Sequence, residues 1–155
     1  MSDSPSTAAL FDSPLLDRHR QYRSERVTLR LLSDEDVVGL RKQVRDRAVA
    51  IALSLVEQTK LVTAASELAR NTIKYGGGGE VRLDSLDDGA RKGISVLFLD
   101  AGPGITHLDD AMRDGFTTGN GLGLGLGGSK RLVDEFEIDT RSGKGTAVLT
   151  VKWKR

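Results

Sequence analysis

The chain has 155 residues, 38% of them apolar, with a formal net charge of +1, no cysteine and two histidines. That length makes one domain with a sizeable core, and so balanced a charge gives no field to draw nucleic acid or an acidic membrane. Disulfides and thiolate metal sites are excluded; a zinc site on His19 and His107 would need carboxylates at a spacing the chain lacks, and no apolar run approaches the ~20 residues of a membrane span. The first residues have neither the basic start nor the apolar centre of a secretory signal. The expectation is a cytoplasmic protein that binds neither nucleic acid nor membrane.

Residues 1–24 are rich in Ser, Asp, Arg and Pro, with only Ala8-Ala-Leu-Phe11 and Leu15-Leu16 as apolar patches. They read as a disordered tail, or as a docking segment using Phe11 and Leu15. Arg26-Val-Thr-Leu-Arg-Leu-Leu32 alternates and predicts a strand. Ser33-Asp-Glu-Asp36 then offers a cap and an acidic first turn. Val37, Leu40, Val44, Ala48, Ile51 and Leu55 follow at helical spacing, with Arg41, Lys42, Arg45 and Arg47 mostly on other faces.

A second helix is predicted over about 57–75. Leu61, Ala65, Leu68 and Thr72 make one stripe, and Thr63, Glu67, Asn71 and Lys74 make another. Glu67 and Asn71 thus stand one turn apart on one face. Gly76-Gly-Gly-Gly79 ends this helix. Glu80–Leu86 and Ile94–Leu99 predict two antiparallel strands about the turn 87–93. The second stops at Asp100-Ala-Gly-Pro-Gly-Ile105. A carboxylate at the end of a buried strand, before a Gly-Pro-Gly turn, is a candidate site residue.

Residues 107–118 read as a lid. Beyond it, seven of the chain's 18 glycines fall between 115 and 128. Such a run disfavours helix and strand, but it lets backbone N–H groups approach a ligand closely, and a helix starting at about 127 adds its positive end. A phosphate chain is the simplest ligand for that arrangement. Gly123-x-Gly125-x-x-Gly128 satisfies the dinucleotide fingerprint only formally, because the preceding stretch is polar and loop-like where a strand is required. A third helix to about Asp134 and a closing hairpin, Phe136–Thr140 with Thr146–Trp153, complete the chain. Strand pairs segregated from helices indicate an α+β fold, a two-layer sandwich with a mixed, mostly antiparallel sheet and three helices on one face.

Three boxes now stand in order: Glu67-Leu-Ala-Arg-Asn71, Asp100-Ala-Gly-Pro-Gly104 and Gly119-Asn-Gly-Leu-Gly-Leu124. With them, residues 26–153 resemble the GHKL ATPase/kinase superfamily and its Bergerat fold. Within it they resemble the bacterial anti-sigma and switch serine kinases, most closely the RsbT type of stressosome pathways. The resemblance leaves the tail of 1–24 outside and implies an ATP-binding kinase domain over 25–155, with ATP and Mg²⁺ as ligands. It implies Asp100 as acceptor for the adenine amino group, with Gly102 and Gly104 closing on the base and Thr146 supporting it. Asn71 would offer Mg²⁺ its amide oxygen, and Glu67 would orient or deprotonate the attacking hydroxyl. Gly119, Gly121, Leu122, Gly123 and Leu124 would hold the phosphates, while Lys74 reads as plain surface.

Histidine kinases share these boxes but carry a phospho-acceptor helix pair that does not fit in 155 residues, so autophosphorylation on His is not expected. Three activities remain open from sequence. One is a protein serine/threonine kinase acting on a STAS-domain antagonist and then released to a second partner. Another is a nucleotide-gated module that holds a sigma factor or activates a PP2C-type phosphatase with little turnover. The last is an ATPase using water.

Overall fold

Ile94-Ser-Val-Leu-Phe-Leu99 has apolar side chains on both parities, which demands a strand covered on both faces. The computed structural model describes residues 13–105, 112 and 125–155. In chain order the elements are β1 (Arg23–Leu31), α1 (Asp34–Ala50), α2 (Leu55–Lys74), β2 (Gly79–Asp87), β3 (Lys92–Asp100), α3 (Gly125–Lys130), β4 (Glu135–Arg141) and β5 (Gly145–Trp153). The strands lie in the order β1-β2-β3-β5-β4, with β3 in the middle. Every pairing is antiparallel. Among the described residues the sheet is therefore wholly antiparallel and not mixed, because β4 and β5 form a hairpin that returns β5 against β3 in the opposite sense.

The three helices share one face. α1 begins where the Asp36 carboxylate accepts the Leu32 and Ser33 N–H groups at 2.8 and 3.1 Å. Val37, Leu40, Val44 and Ala48 are buried, as their spacing predicts. The stripe does not run on to Leu55. Ala52 adopts φ 60, Leu53 N–H closes on the Ala48 carbonyl at 3.0 Å, and Ser54 caps α2 by accepting the Glu57 N–H at 3.1 Å. Leu61, Ala65, Leu68 and Thr72 of α2 are buried. The apolar members of that stripe form one core with Val81, Leu83, Val96, Phe98 and Val148 of the sheet. Each such leucine contributes about 1.5–3 kcal/mol. α3 stops at Lys130 and not at Asp134, since the Asp134 N–H bonds the Val151 carbonyl at 3.0 Å and its carboxylate accepts the Trp153 N–H at 2.7 Å.

The opposite face of the sheet is apolar too. Leu86, Leu97, Leu99, Leu149, Val151 and Trp153 form a second cluster, which Leu15 completes. Residues 13–24 are therefore not a disordered tail: two short 3-10 turns, Pro14–Asp17 and Arg20–Tyr22, lead into β1. Polar contacts fix this strap. Arg23 Nη2 donates to the Leu16 and Arg18 carbonyls at 2.6 and 2.7 Å, and Arg18 pairs with Glu137 at 2.8 Å. His19 lies edge-on to Trp153, with its Nε2 2.8 Å from Glu135. Burial pushes the Glu135 carboxyl up, but the bonds from His19 and the Trp153 indole outweigh it and hold the group below its ordinary value. Phe11 lies outside the described residues. Behind the strap, Asp84 is nearly sealed, and Arg26 grips it through Nε and Nη2 at 2.8 and 2.9 Å.

Candidate functional site

The four glycines after α2 shape one end of the sheet. Tyr75 and Gly76 N–H both bond the Asn71 carbonyl, at 2.9 and 3.3 Å, and Gly78 N–H bonds that of Thr72 at 3.0 Å. The chain thereby curls beneath the helix end and enters β2. Its register places Gly79 opposite Asp100, the last residue of β3, and Asp100 faces Thr146 of β5 on its other side. Two expected site residues, Asp100 and Thr146, are thus direct neighbours across the sheet.

Asp100 is only 8% exposed. Its Oδ1 accepts the Gly102 N–H at 2.9 Å. Burial drives the carboxyl above the ordinary aspartate value, and the backbone N–H groups of Gly102 and Thr146 oppose the rise in part. Bare backbone surrounds it. A Cβ on Gly76 would lie 2.6 Å from Asp100 Oδ2, and one on Gly102 would lie 2.7 Å from Gly76 Cα. Gly104 adopts φ 80, and a Cβ there would meet the Arg141 carbonyl oxygen at 2.5 Å. The Gly143 N–H bonds the Pro103 carbonyl at 2.8 Å, and Thr140 Oγ1 accepts the Ile105 N–H and touches Thr146 Oγ1, both at 2.8 Å. The 100–105 turn is thereby tied to the β4–β5 hairpin. Sequence reasoning passed over Gly76 and Thr140, although Gly76 stands in a four-glycine run no helix end requires.

Glu67 and Asn71 sit on one side of the last turns of α2, both half-buried. Among the described residues the cation nearest Glu67 is Arg70, 3.9 Å away, and none bonds the Asn71 amide. The Lys74 ammonium lies over the Tyr75 ring, 5.2 Å from its centroid, which fits its reading as surface. Among the described residues no group of three or more His, Asp or Glu could hold a metal by itself. Gly119, Gly121, Leu122, Gly123 and Leu124, with residues 107–111 and 113–118 of the expected lid, lie outside the described residues. The glycine run re-enters at α3, where Gly125 has φ 71 and Leu126 joins the α2 core.

The family model of histidine kinase-, DNA gyrase B- and HSP90-like ATPases matches residues 56–155. The serine/threonine-protein kinase RsbT of Bacillus subtilis is 39% identical over 127 residues, 82% of this chain and 96% of that one. The chain belongs to the GHKL ATPase family, in its RsbT-like branch.

An anti-sigma F factor of a Thermoanaerobacter species is 29% identical over 106 residues, 64% of this chain and 73% of that one. Among solved structures, the RsbU and RsbW domains of a Mycobacterium tuberculosis protein superpose with a TM-score of 0.56 at 16% identity. That match covers 85% of this chain but only 34% of the longer one. The mycobacterial sensor histidine kinase MprB gives 0.52 at 22% identity, covering 84% and 97%. At such identities these likenesses speak for the fold alone. A GHKL domain is an ATP-binding domain, and in this one the strap lies ahead of the matched span. No described helix is long and apolar enough to cross a membrane.

Proposed function

We propose that this GHKL protein is an ATP-dependent serine/threonine kinase of a partner-switching pathway. It phosphorylates a hydroxyl on a STAS-domain antagonist and then passes to a second partner, a PP2C-type phosphatase, in the cytoplasm. The observation that carries this is the 39% identity to the RsbT kinase over nearly all of that protein's length. The site offers chemistry to match.

The buried Asp100 carboxylate accepts the adenine amino group, where guanine would present a second acceptor and be repelled. Gly102 and Gly104 let the backbone close on the base, and Thr146 braces Asp100 from the next strand. The glycine run through residues 119–124 cradles the phosphates. Asn71 fits a magnesium ion: a single free amide oxygen suits a hard cation that takes its other ligands from phosphates and water. Bound there, the ion would neutralise phosphate charge. Glu67, half-buried one turn away with its nearest described cation at 3.9 Å, takes the proton of the attacking hydroxyl in this reading. Little else is asked of the protein, because phosphoryl transfer is mostly positioning and charge stabilisation. The phosphate added to the partner then weakens its interface by charge.

Glu67→Ala should bind MgATP as the parent does and lose radiolabel transfer to a STAS protein by two orders of magnitude or more. Transfer at the parent rate removes Glu67 from this role. The anti-sigma F relative favours a second reading, nucleotide-gated sequestration of a sigma factor with little turnover. Stable co-purification with a sigma factor, and no transfer to any STAS protein, would select it.

A further inference from the structure

At the other end of α2 a cleft of about 470 Å³ opens between the α1–α2 loop, the segment after α3 and the end of β5. We propose that it docks an acidic, leucine-bearing segment of a partner protein, at a surface separate from the nucleotide end. Lys60, Arg131, Lys152, Lys154 and Arg155 line it, against the two carboxylates of Glu57 and Asp134. That is a local excess of three positive charges in a chain whose whole net charge is +1.

Both carboxylates are already engaged. The buried Lys152 ammonium bonds Glu57 and stands 3.7 Å from Asp134, Arg155 is 3.4 Å from Asp134, and Lys60 is 3.5 Å from Glu57. Lys152 therefore builds the floor. It pulls the Glu57 carboxyl below its ordinary value, chiefly by their hydrogen bond. Lys154 meets an incoming anion together with Lys60 and Arg155, whose pairings with Glu57 and Asp134 leave their side chains 45% and 72% exposed. Between the lining residues Ser54 and Glu57, Leu55 and Val56 are 76% and 63% exposed.

This mixture selects the occupant. A small free anion reaching the floor would meet Glu57 and Asp134. A flat anionic bilayer cannot follow a concave surface and would find only two apolar side chains. A peptide can set carboxylates on the rim cations and an apolar side chain on Leu55 and Val56. From Leu55 to Asn71 is sixteen helical residues, about 24 Å at 1.5 Å each, so docking here leaves the Asp100 end open. Such an interface gains its on-rate and specificity from charge and should weaken with salt.

Trp153 turns its indole to the other face of the sheet, beneath the strap, so binding in the cleft is read by heat and not by fluorescence. A peptide alternating glutamate and leucine, titrated into the protein at low ionic strength, should give a saturable heat in a calorimeter. K60E combined with K154E should weaken that binding at least tenfold, and L55S with V56S at least threefold, each with a parent-like circular-dichroism melt. A lysine–leucine peptide should not bind. The proposal is overturned if no saturable heat appears at millimolar peptide, or if the charge-reversed protein binds like the parent. It is equally overturned if anionic phosphatidylglycerol vesicles or inorganic phosphate bind through the same lysines more tightly than the peptide. Because no nucleotide is needed, failure here leaves the kinase reading untouched.

Discussion

Gly76→Ala tests whether the glycine turn is what keeps the Asp100 carboxylate available. Gly76 has no positive φ, so alanine fits its backbone, and on conformational entropy alone the change would stabilise by about 0.4–1 kcal/mol. The obstacle is steric. The new Cβ would lie 2.5 Å from Asp100 Cγ and 2.6 Å from its Cβ, about an ångström inside the ~3.5 Å contact optimum. Rotating the carboxylate away cannot relieve this, because Asp100 Cβ is fixed to the central strand. The turn must retreat, and with it the wall that meets Gly102. A hydrogen bond to a charged group is worth about 1.5–3 kcal/mol, so MgATP affinity measured by calorimetry should fall roughly 10–100-fold at ~1.4 kcal/mol per decade. Gly77→Ala is the control. It meets open space but must hold φ 76, so it should cost about 1 kcal/mol of stability and leave affinity alone. Affinity within twofold of the parent for Gly76→Ala, or an equal loss in both variants, would refute the reasoning.

Asp100→Asn keeps the oxygen that accepts the Gly102 N–H but removes a buried charge. Since burial raises the native pKa above the unfolded one, the native state binds more protons in the window between them, and stability falls as pH rises through it. The variant should therefore melt higher than the parent at neutral pH, with the gap closing below the ordinary aspartate value, while MgATP affinity drops at least tenfold; a lower melt at pH 7 contradicts this. Leu15→Ala should cost about 2 kcal/mol, the low end for a buried leucine, and red-shift Trp153 emission with MgATP affinity unchanged. An unshifted spectrum would mean the strap does not cover the indole. Arg26→Ala strands the Asp84 side chain, 2% exposed, with only Arg23 at 3.9 Å. In urea this should cost close to the lower end of the roughly 3–5 kcal/mol for a broken buried pair, because Arg26 is itself 36% exposed. Arg26→Met with Asp84→Leu should recover most of that loss, and no recovery would count against a charge-based origin.

Helix and strand identities were legible wherever one face is apolar, as in Val37–Ala48 or Leu61–Thr72. Boundaries failed where polar geometry overrules the stripe: Ile51 and Leu55 continue the α1 period, yet the Ser54 cap starts a new helix between them. Asp134 looked helical by position, but its carboxylate belongs to β5. The strap was the larger miss, since Leu15 and Leu16 have no periodicity of their own. Its signal lay elsewhere in the chain. β3 and β5 carry apolar residues on both parities, and three helices cover one face only, so something had to cover the other. At the site, the Glu67–Asn71 spacing and the strand-end Asp100 were readable from period alone. Gly76 was not, because what it makes room for lies 24 positions away in sequence.

Asp100 is mounted on the central strand, two places in from either rim of the sheet. Fraying starts at the rims of a sheet and reaches such a strand last. On the role proposed for Asp100, base choice is tied to a part of the molecule slow to exchange its amide protons. Substitutions that loosen β1 or β4 should erode expression and lifetime well before they let guanine in, so preference for adenine would outlast much of the sequence drift around it.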